Sequence, residues 1–370
     1  MKIATIEVIE VTIPFHDGGD GIGLTPGRWD RFDSVYLRLE DTDGHVGWGE
    51  CFSYVCRSAV TAAVRDMVAP LVLGAEIEDP AAFGEGLQRR LHTFGRYGVA
   101  LFAISGVEMA LWDLLGRRRG LPVARLLGTP RRAAVDAYAS LVRYDSADLV
   151  ERYAARAVAE GFRSVKLHEV RSAVIAAGRR GAGPGTHLTV DVNCAFDGNG
   201  ARALLPALKA ADVAWFEEPV FPPEDAPTMA ALRREPQAVA VAAGENWCTR
   251  HQFAAMVREG AVDIVQPSVT KVGGLSEFLA VMRLAERSGL AIMPHSPYFG
   301  PGWFATLHLV ALAEQAPLVE WLWVEPEAMP CRETPSPVAG SVAIPDGPGL
   351  GFDLDPDVLR TYGRRAALLA

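Results

Sequence analysis

The chain has 370 residues, 49% apolar and 22% charged, with a formal net charge of −9 and a pI near 5.5. That balance describes a globular protein and excludes a disordered one. It also excludes a protein built to coat nucleic acid, but not one that takes a small anionic substrate, because a local cation or lysine outweighs the global field.

The opening run "MKIATIEVIEVTIPF" alternates apolar and polar residues like a strand and lacks the apolar core of a signal peptide. No run reaches the roughly 20 apolar residues of a membrane helix, so no membrane partner is expected. "SVYLRLEDTDGHVGWGE" reads as a hairpin turning at "DTDG", and the glycine-rich Phe15–Asp30 between them reads as a loop. Helical patterns follow at Ser58–Val72, Asp79–Leu91 and Ala100–Arg119. Strands followed by helices predict an α+β domain over residues 1–127.

From about Arg132 short apolar strands alternate with amphipathic helices. The strands are "AVDAYASL", "FRSVKLHEV", "HLTVDVNCAF", "VAWFEEPV", "AVAVAAGENW", "VDIVQPSV", "LAIMPHSPY" and "PLVEWLWVE". Alternation of this kind predicts parallel strands with helical crossovers, and eight of them close a (β/α)8 barrel over residues 128–330. Residues 331–370 leave the repeat and are expected to return to the first domain. The five cysteines, odd in number and scattered, fit a reducing, cytoplasmic compartment and ordinary packing.

Polar residues recur at the strand ends: Lys166, Asp191, Glu217, Glu245, Ser268, His295 and Glu320, at steps of 23 to 28 residues. Such regularity is expected if each βα unit presents one residue at the barrel mouth. Three carboxylates from consecutive strands repel one another unless a cation lies among them. A hard, oxygen-seeking divalent ion, Mg²⁺, is the natural solution. It could hold a substrate carboxylate and stabilise the charge that develops when the α-proton is removed. Lys166 is placed as the base, with a pKa lowered if the metal and His168 crowd it. His295 faces it from across the ring. Asn193 and His168 share the faces of Asp191 and Lys166.

These motifs resemble the enolase superfamily, within it the mandelate racemase/muconate lactonizing enzyme group, over almost the whole chain. "SGVEMALWDLLGRRRGLPVARLLG" is similar to that family's junction between capping domain and barrel. "VDVN", "FEEP" and "GEN" are similar to its metal-ligand strands, and "QPSVTKVGG" and "MPHSPYFGPG" to its sixth and seventh strand ends. The resemblance implies Asp191, Glu217 and Glu245 as Mg²⁺ ligands, Lys166 as a base, His295 as a second acid/base, and Glu320 beside the substrate carboxylate. It implies that capping loops Phe15–Asp30 and Cys51–Arg57 close over the site. His16, Arg28, Trp29, Tyr54 and Arg57 are candidates there for substrate contact.

Two positions depart from the pattern. His168 stands where relatives carry the second lysine of Lys-x-Lys, and either supports the ligands or acts directly. Ser268 stands where racemase-like members pair an aspartate with the seventh-strand histidine. A serine can orient an imidazole but cannot stabilise imidazolium as a carboxylate does. The leading expectation is therefore a sugar-acid or hydroxy-acid dehydratase giving a 2-keto acid, with Lys166 as base and His295 assisting departure of the β-hydroxyl. A racemase, epimerase or cycloisomerase on the same site is the alternative, and a binding protein on the old scaffold a third. The expected partner is a small carboxylate, in a homo-oligomer. Lys271 and Asp263 are expected to be structural.

Overall fold

A computed structural model describes residues 1–19, 29–315 and 317–370. Two sheets organise it. The first is antiparallel: β1 (Ile3–His16) pairs with β2 (Arg31–Asp41), and β2 with β3 (Val46–Cys51). Against its apolar face lies the helix Val99–Arg119, buried along most of its length. Contact is close because glycines meet: a Cβ on Gly49 would stand 1.9 Å from the Gly106 carbonyl oxygen. The predicted Ser58–Val72 helix instead runs as Arg57–Ala63, one π-helical stretch Val64–Val68, and Ala69–Val72. Pro70 lies in that run and, lacking an N–H, cannot donate to the helical ladder.

One expectation needs correction. Val99–Arg119 is 21 residues long with mean hydropathy 1.6, long and apolar enough by that measure to cross a membrane. Here 89% of its apolar window is buried inside the protein. Its two buried acids also tie it to other segments. Glu108 accepts from the backbone N–H groups of Leu275 (2.7 Å) and Ser276 (3.1 Å). Asp113 accepts from those of Trp48 (2.8 Å) and Leu350 (2.7 Å).

The second sheet is the barrel. Its parallel strands are β4 (Ala134–Ser140), β5 (Ser164–Leu167), β6 (His187–Asp191), β7 (Val213–Glu217), β8 (Ala240–Ala243), β9 (Ile264–Val265), β10 (Ala291–Ile292) and β11 (Leu318–Leu322). They are ordered β10-β9-β8-β7-β6-β5-β4-β11. The two ends of this row are joined by Ser296: its N–H donates to Glu320 Oε2 (3.0 Å) and its hydroxyl to the Glu320 carbonyl (3.1 Å). The fold is a (β/α)8-type barrel with an α+β cap. Three further strands follow: β12 (Glu325–Pro326) pairs with β1, β13 (Ser341–Ala343) with β4, and β14 (Gly363–Leu369) returns to β1.

Several barrel strands end sooner than their apolar runs suggest. Asn193, Cys194 and Glu218 adopt positive φ just past β6 and β7, turning the chain out of the sheet at the mouth. Gly244, φ 139°, does so after β8, where a Cβ would meet Phe253 at 2.8 Å. It also sets the direction of the next residue, Glu245.

His308, fully buried on the helix Pro301–Val310, links three segments. Its Nδ1 accepts from the Ala124 N–H (3.3 Å), and its Nε2 donates to the Leu350 carbonyl (3.1 Å). Burial lowers its pKa to about 4, the Leu350 carbonyl opposing. A depressed histidine pKa gives stability that is complete above about pH 6.5 and lost as pH falls toward 4. The loss from this one group amounts to about 3 kcal/mol. Buried Glu50 and Glu108, both raised to about 7, act with the opposite sign. Comparing the pH dependence of urea unfolding in His308→Gln with the parent therefore isolates the histidine. The variant is expected to lack this acid-side loss, and identical profiles would refute the assignment.

Candidate active site

At the C-terminal ends of the barrel strands seven of the predicted residues converge. Asp191 and Glu217 are register partners across β6 and β7, so their side chains leave the sheet together. Lys166, on β5, reaches both and one more carboxylate. Its Nζ lies 2.8 Å from Glu217 Oε1, 2.8 Å from Glu320 Oε1 and 3.4 Å from Asp191 Oδ2. All four are within the protein interior, Lys166 completely so.

Glu320 is held by Ser140 Oγ (2.7 Å) and the Ser296 N–H, and Glu217 Oε2 accepts from Trp215 Nε1 (3.0 Å). His168 Nδ1 faces the Leu141 carbonyl at 2.5 Å while Nε2 faces Asp191 Oδ2 at 3.2 Å, so each nitrogen points at an oxygen acceptor. On the far side His295 Nε2 lies 2.6 Å from Glu245 Oε2.

The electrostatics follow from this packing. Burial opposes charge on Lys166, but Glu217 and Glu320 outweigh it and hold the ammonium well above its usual pKa. Burial pushes Asp191 up, yet Lys166 and His168 keep it below the usual range. Burial likewise opposes ionisation of Glu245, which His295 and Lys271 hold low. Glu218, the second glutamate of "EEP", is pushed up to about 8 by burial and by Glu245, and its Oε1 accepts from the Gly244 N–H (2.9 Å).

A cavity of about 510 Å³ opens over this cluster. His168, Asn193, Glu245, His295 and Glu320 line its floor, with Phe52, Tyr54 and Phe102 of the cap opposite. Tyr54 Oη, Asn193 Oδ1 and His295 Nδ1 are buried there without a hydrogen-bond partner among the described residues. Such atoms are costly to leave unmatched, so a polar ligand has ready partners.

Other predicted residues stand elsewhere. Ser268 does not orient His295: its hydroxyl is hydrogen-bonded to Tyr298. Trp29 packs among Phe15, Phe32 and Tyr54 in the cap core. Arg57 pairs with Asp33 (3.2 Å) and bonds Thr12, away from the cavity. His16 lines a separate cavity with Tyr153 and Trp323. Arg28 lies outside the described residues. Asp263 bonds Arg233 and the Val241 N–H (2.9 Å), a packing role. Lys271, read as structural, instead lines the cavity. Strand parity misled there because β9 ends at Val265, and alternation does not extend into the following turn.

Asp191, Glu217 and Glu245 offer only oxygen donors, the set a hard cation such as Mg²⁺ prefers. Asp191 and Glu217 are paired with Lys166, and Glu245 with His295. Among the described residues only Asp41, Asp43 and His45 bring three ligand atoms within 4.8 Å of one another. That trio lies in the β2–β3 turn, where Arg118 already bonds both aspartates and the Asp43 and His45 N–H groups bond Asp41. It is a locked turn, and the barrel carboxylates are the candidate ligand set for a divalent cation.

Two family models match. One, described as "Enolase C-terminal domain-like", covers residues 148–358. The other, the N-terminal domain of "Mandelate racemase / muconate lactonizing enzyme", covers residues 25–128. The chain belongs to the mandelate racemase/muconate lactonizing enzyme group of the enolase superfamily. Within that family it is 33% identical to a D-galactarolactone cycloisomerase of Agrobacterium fabrum, over 90% of this chain and 92% of that one. It is 30% identical to an arabinonate dehydratase of Saccharolobus solfataricus, over 94% and 95%. A racemase from Streptomyces coelicolor A3(2), solved with bound magnesium, shares its fold at TM-score 0.88 and 28% identity, covering 98% of this chain and all of that one. Enolase-superfamily relatives thus include lyases and isomerases, and this chain is an enzyme of that superfamily.

Proposed function

We propose that the protein is a Mg²⁺-dependent dehydratase of a sugar acid or related hydroxy acid, forming a 2-keto acid. The observation that carries this reading is the asymmetry of the two basic groups. Lys166 lies in a built carboxylate cluster, whereas His295 has a buried Nδ1 with no partner among the described residues and a Ser268 turned toward Tyr298. An imidazole whose Nδ1 has no carboxylate to hold it is a weak second base but a serviceable proton donor. Racemisation needs competent bases on both faces; elimination needs one base and one acid.

A divalent cation held by Asp191, Glu217 and Glu245 would supply the counter-charge for those carboxylates and for the negative charge developing on the substrate carboxylate. Lys166, as the neutral amine, takes the proton from the α-carbon at Nζ. The electron pair left behind forms the double bond to the β-carbon as the β-carbon–oxygen bond breaks. The leaving oxygen takes a proton from His295 and departs as water; the enol then gains a proton at the β-carbon, gives up its hydroxyl proton to solvent and becomes the 2-keto acid. His168 acts through Asp191 as a positioning residue, and Glu320 keeps Lys166 Nζ and the Ser296 loop in place. The unpartnered Tyr54 Oη and Asn193 Oδ1 meet substrate hydroxyls.

The intramolecular form of the same step, in which the leaving oxygen stays tethered to the product, is the second reading. Similarity to the galactarolactone cycloisomerase favours it. A screen of sugar acids and their lactones with Mg²⁺, read as 2-keto acid formation, tests both. His295→Asn is expected to lower product formation on the order of 10²-fold while α-proton exchange with solvent persists. Loss of both together would make the histidine, not Lys166, the base.

A further inference from the structure

Arginine supplies nearly all the positive charge of this chain. Only four of its 36 basic residues are lysines, Lys2, Lys166, Lys209 and Lys271, and two of the four are buried at the barrel mouth. Lys166 has three carboxylates around it. Lys271, 8% exposed, has none within 4.0 Å among the described residues. Its Nζ finds Asn246 Oδ1 at 3.5 Å, the outer limit of a hydrogen bond, and the Phe52 ring at 4.7 Å. It opens on the same cavity as Glu245 and His295.

A buried ammonium with no carboxylate in contact is costly, and a ring face compensates only in part. The supports around Lys271 come from two elements, Phe52 from the cap loop and Asn246 from the turn after β8. The Asn246 amide stands between the two charges, donating to Glu245 Oε1 (3.2 Å) and accepting from Lys271. That spacing holds the ammonium apart from the carboxylate cluster while leaving it on the cavity wall. We propose that Lys271 binds a second carboxylate of the substrate, so that the substrate is a dicarboxylate of the aldaric-acid class. This rests on the carboxylate-elimination reading above and adds to it the far end of the substrate. Lys271 is a specificity-determining residue in it, with no part in the proton transfers.

The test is calorimetric titration, with Mg²⁺ present, of paired acids that differ only in the far end: galactarate against galactonate, and glucarate against gluconate. The parent enzyme is expected to bind at least one diacid about tenfold or more tighter than its partner monoacid. Lys271→Met should erase that preference by weakening the diacid alone, and Lys271→Arg should retain part of it. No preference for either diacid, or equal weakening of both members of a pair, overturns the proposal. Reduced Mg²⁺ affinity in Lys271→Met with the preference intact also overturns it, making Lys271 a charge partner of Glu245. Loss of the α-proton signal in D₂O, followed on the same samples, reports separately on the reaction. Diacid preference without exchange would leave the subsite standing and sink the proton-abstraction reading.

Discussion

Lys166→Met is expected to lower turnover on the order of 10³-fold or more and to abolish exchange of the substrate α-proton with solvent. Among the described residues only Lys166 places a basic nitrogen within 4.0 Å of both Glu217 and Glu320. The same change removes the counter-charge of three buried carboxylates. Breaking a buried ionic cluster from one side costs about 3–5 kcal/mol, so the variant should unfold more easily and recover part of the loss when Mg²⁺ is added. Lys166→Arg separates the two effects. A guanidinium keeps the positive charge but does not deprotonate. It should restore stability more than activity, and near-parental exchange in the Lys166→Arg enzyme would refute the role of Lys166 as base.

The second large effect concerns Glu217. It sits at the centre of the cluster, beside Asp191 in register and bonded to Lys166 and Trp215. Glu217→Gln keeps the shape and removes one of three proposed ligand charges. In the parent protein, Mg²⁺ at a hundred times its Kd should raise the unfolding free energy by about 3 kcal/mol. In the variant at the same Mg²⁺ concentration the gain should nearly vanish, and turnover should fall with it. Thermal unfolding with and without Mg²⁺ reads the first, product formation the second. An undiminished Mg²⁺-dependent shift in Glu217→Gln would place the cation elsewhere.

How far the site could be read from the chain differs by residue. Lys166, Asp191, Glu217 and Glu320 lie within strands, where alternation and βα spacing carry position information, and all four meet at the mouth. Positions beyond the strand ends were less legible. Ser268 lies three residues past β9, and its hydroxyl goes to Tyr298, a partner 30 residues away that no local pattern signals. Lys271 enters the cavity through a turn to which period two does not apply. Cap residues were the least legible. Tyr54 reaches the cavity while Arg57, three residues on, turns back to Asp33, because the segment leaves extended structure at Tyr54 and winds into a helix. The membrane-length apolar run at Val99–Arg119 shows the converse: composition alone cannot tell a buried cap helix from a spanning one, and burial of Glu108 and Asp113 against backbone donors decides the matter.

The proposed reaction pairs one lysine base with a histidine acid whose Nδ1 has no partner among the described residues. The measurement that tests it most directly is proton NMR of a sugar acid turned over by the parent enzyme in D₂O with Mg²⁺. The expected result is loss of the α-proton signal with appearance of a 2-keto-3-deoxy acid carrying one deuterium at carbon 3. Deuterium entering carbon 2 with interconversion of the two epimers, and no keto acid, would contradict it and make His295 a second base.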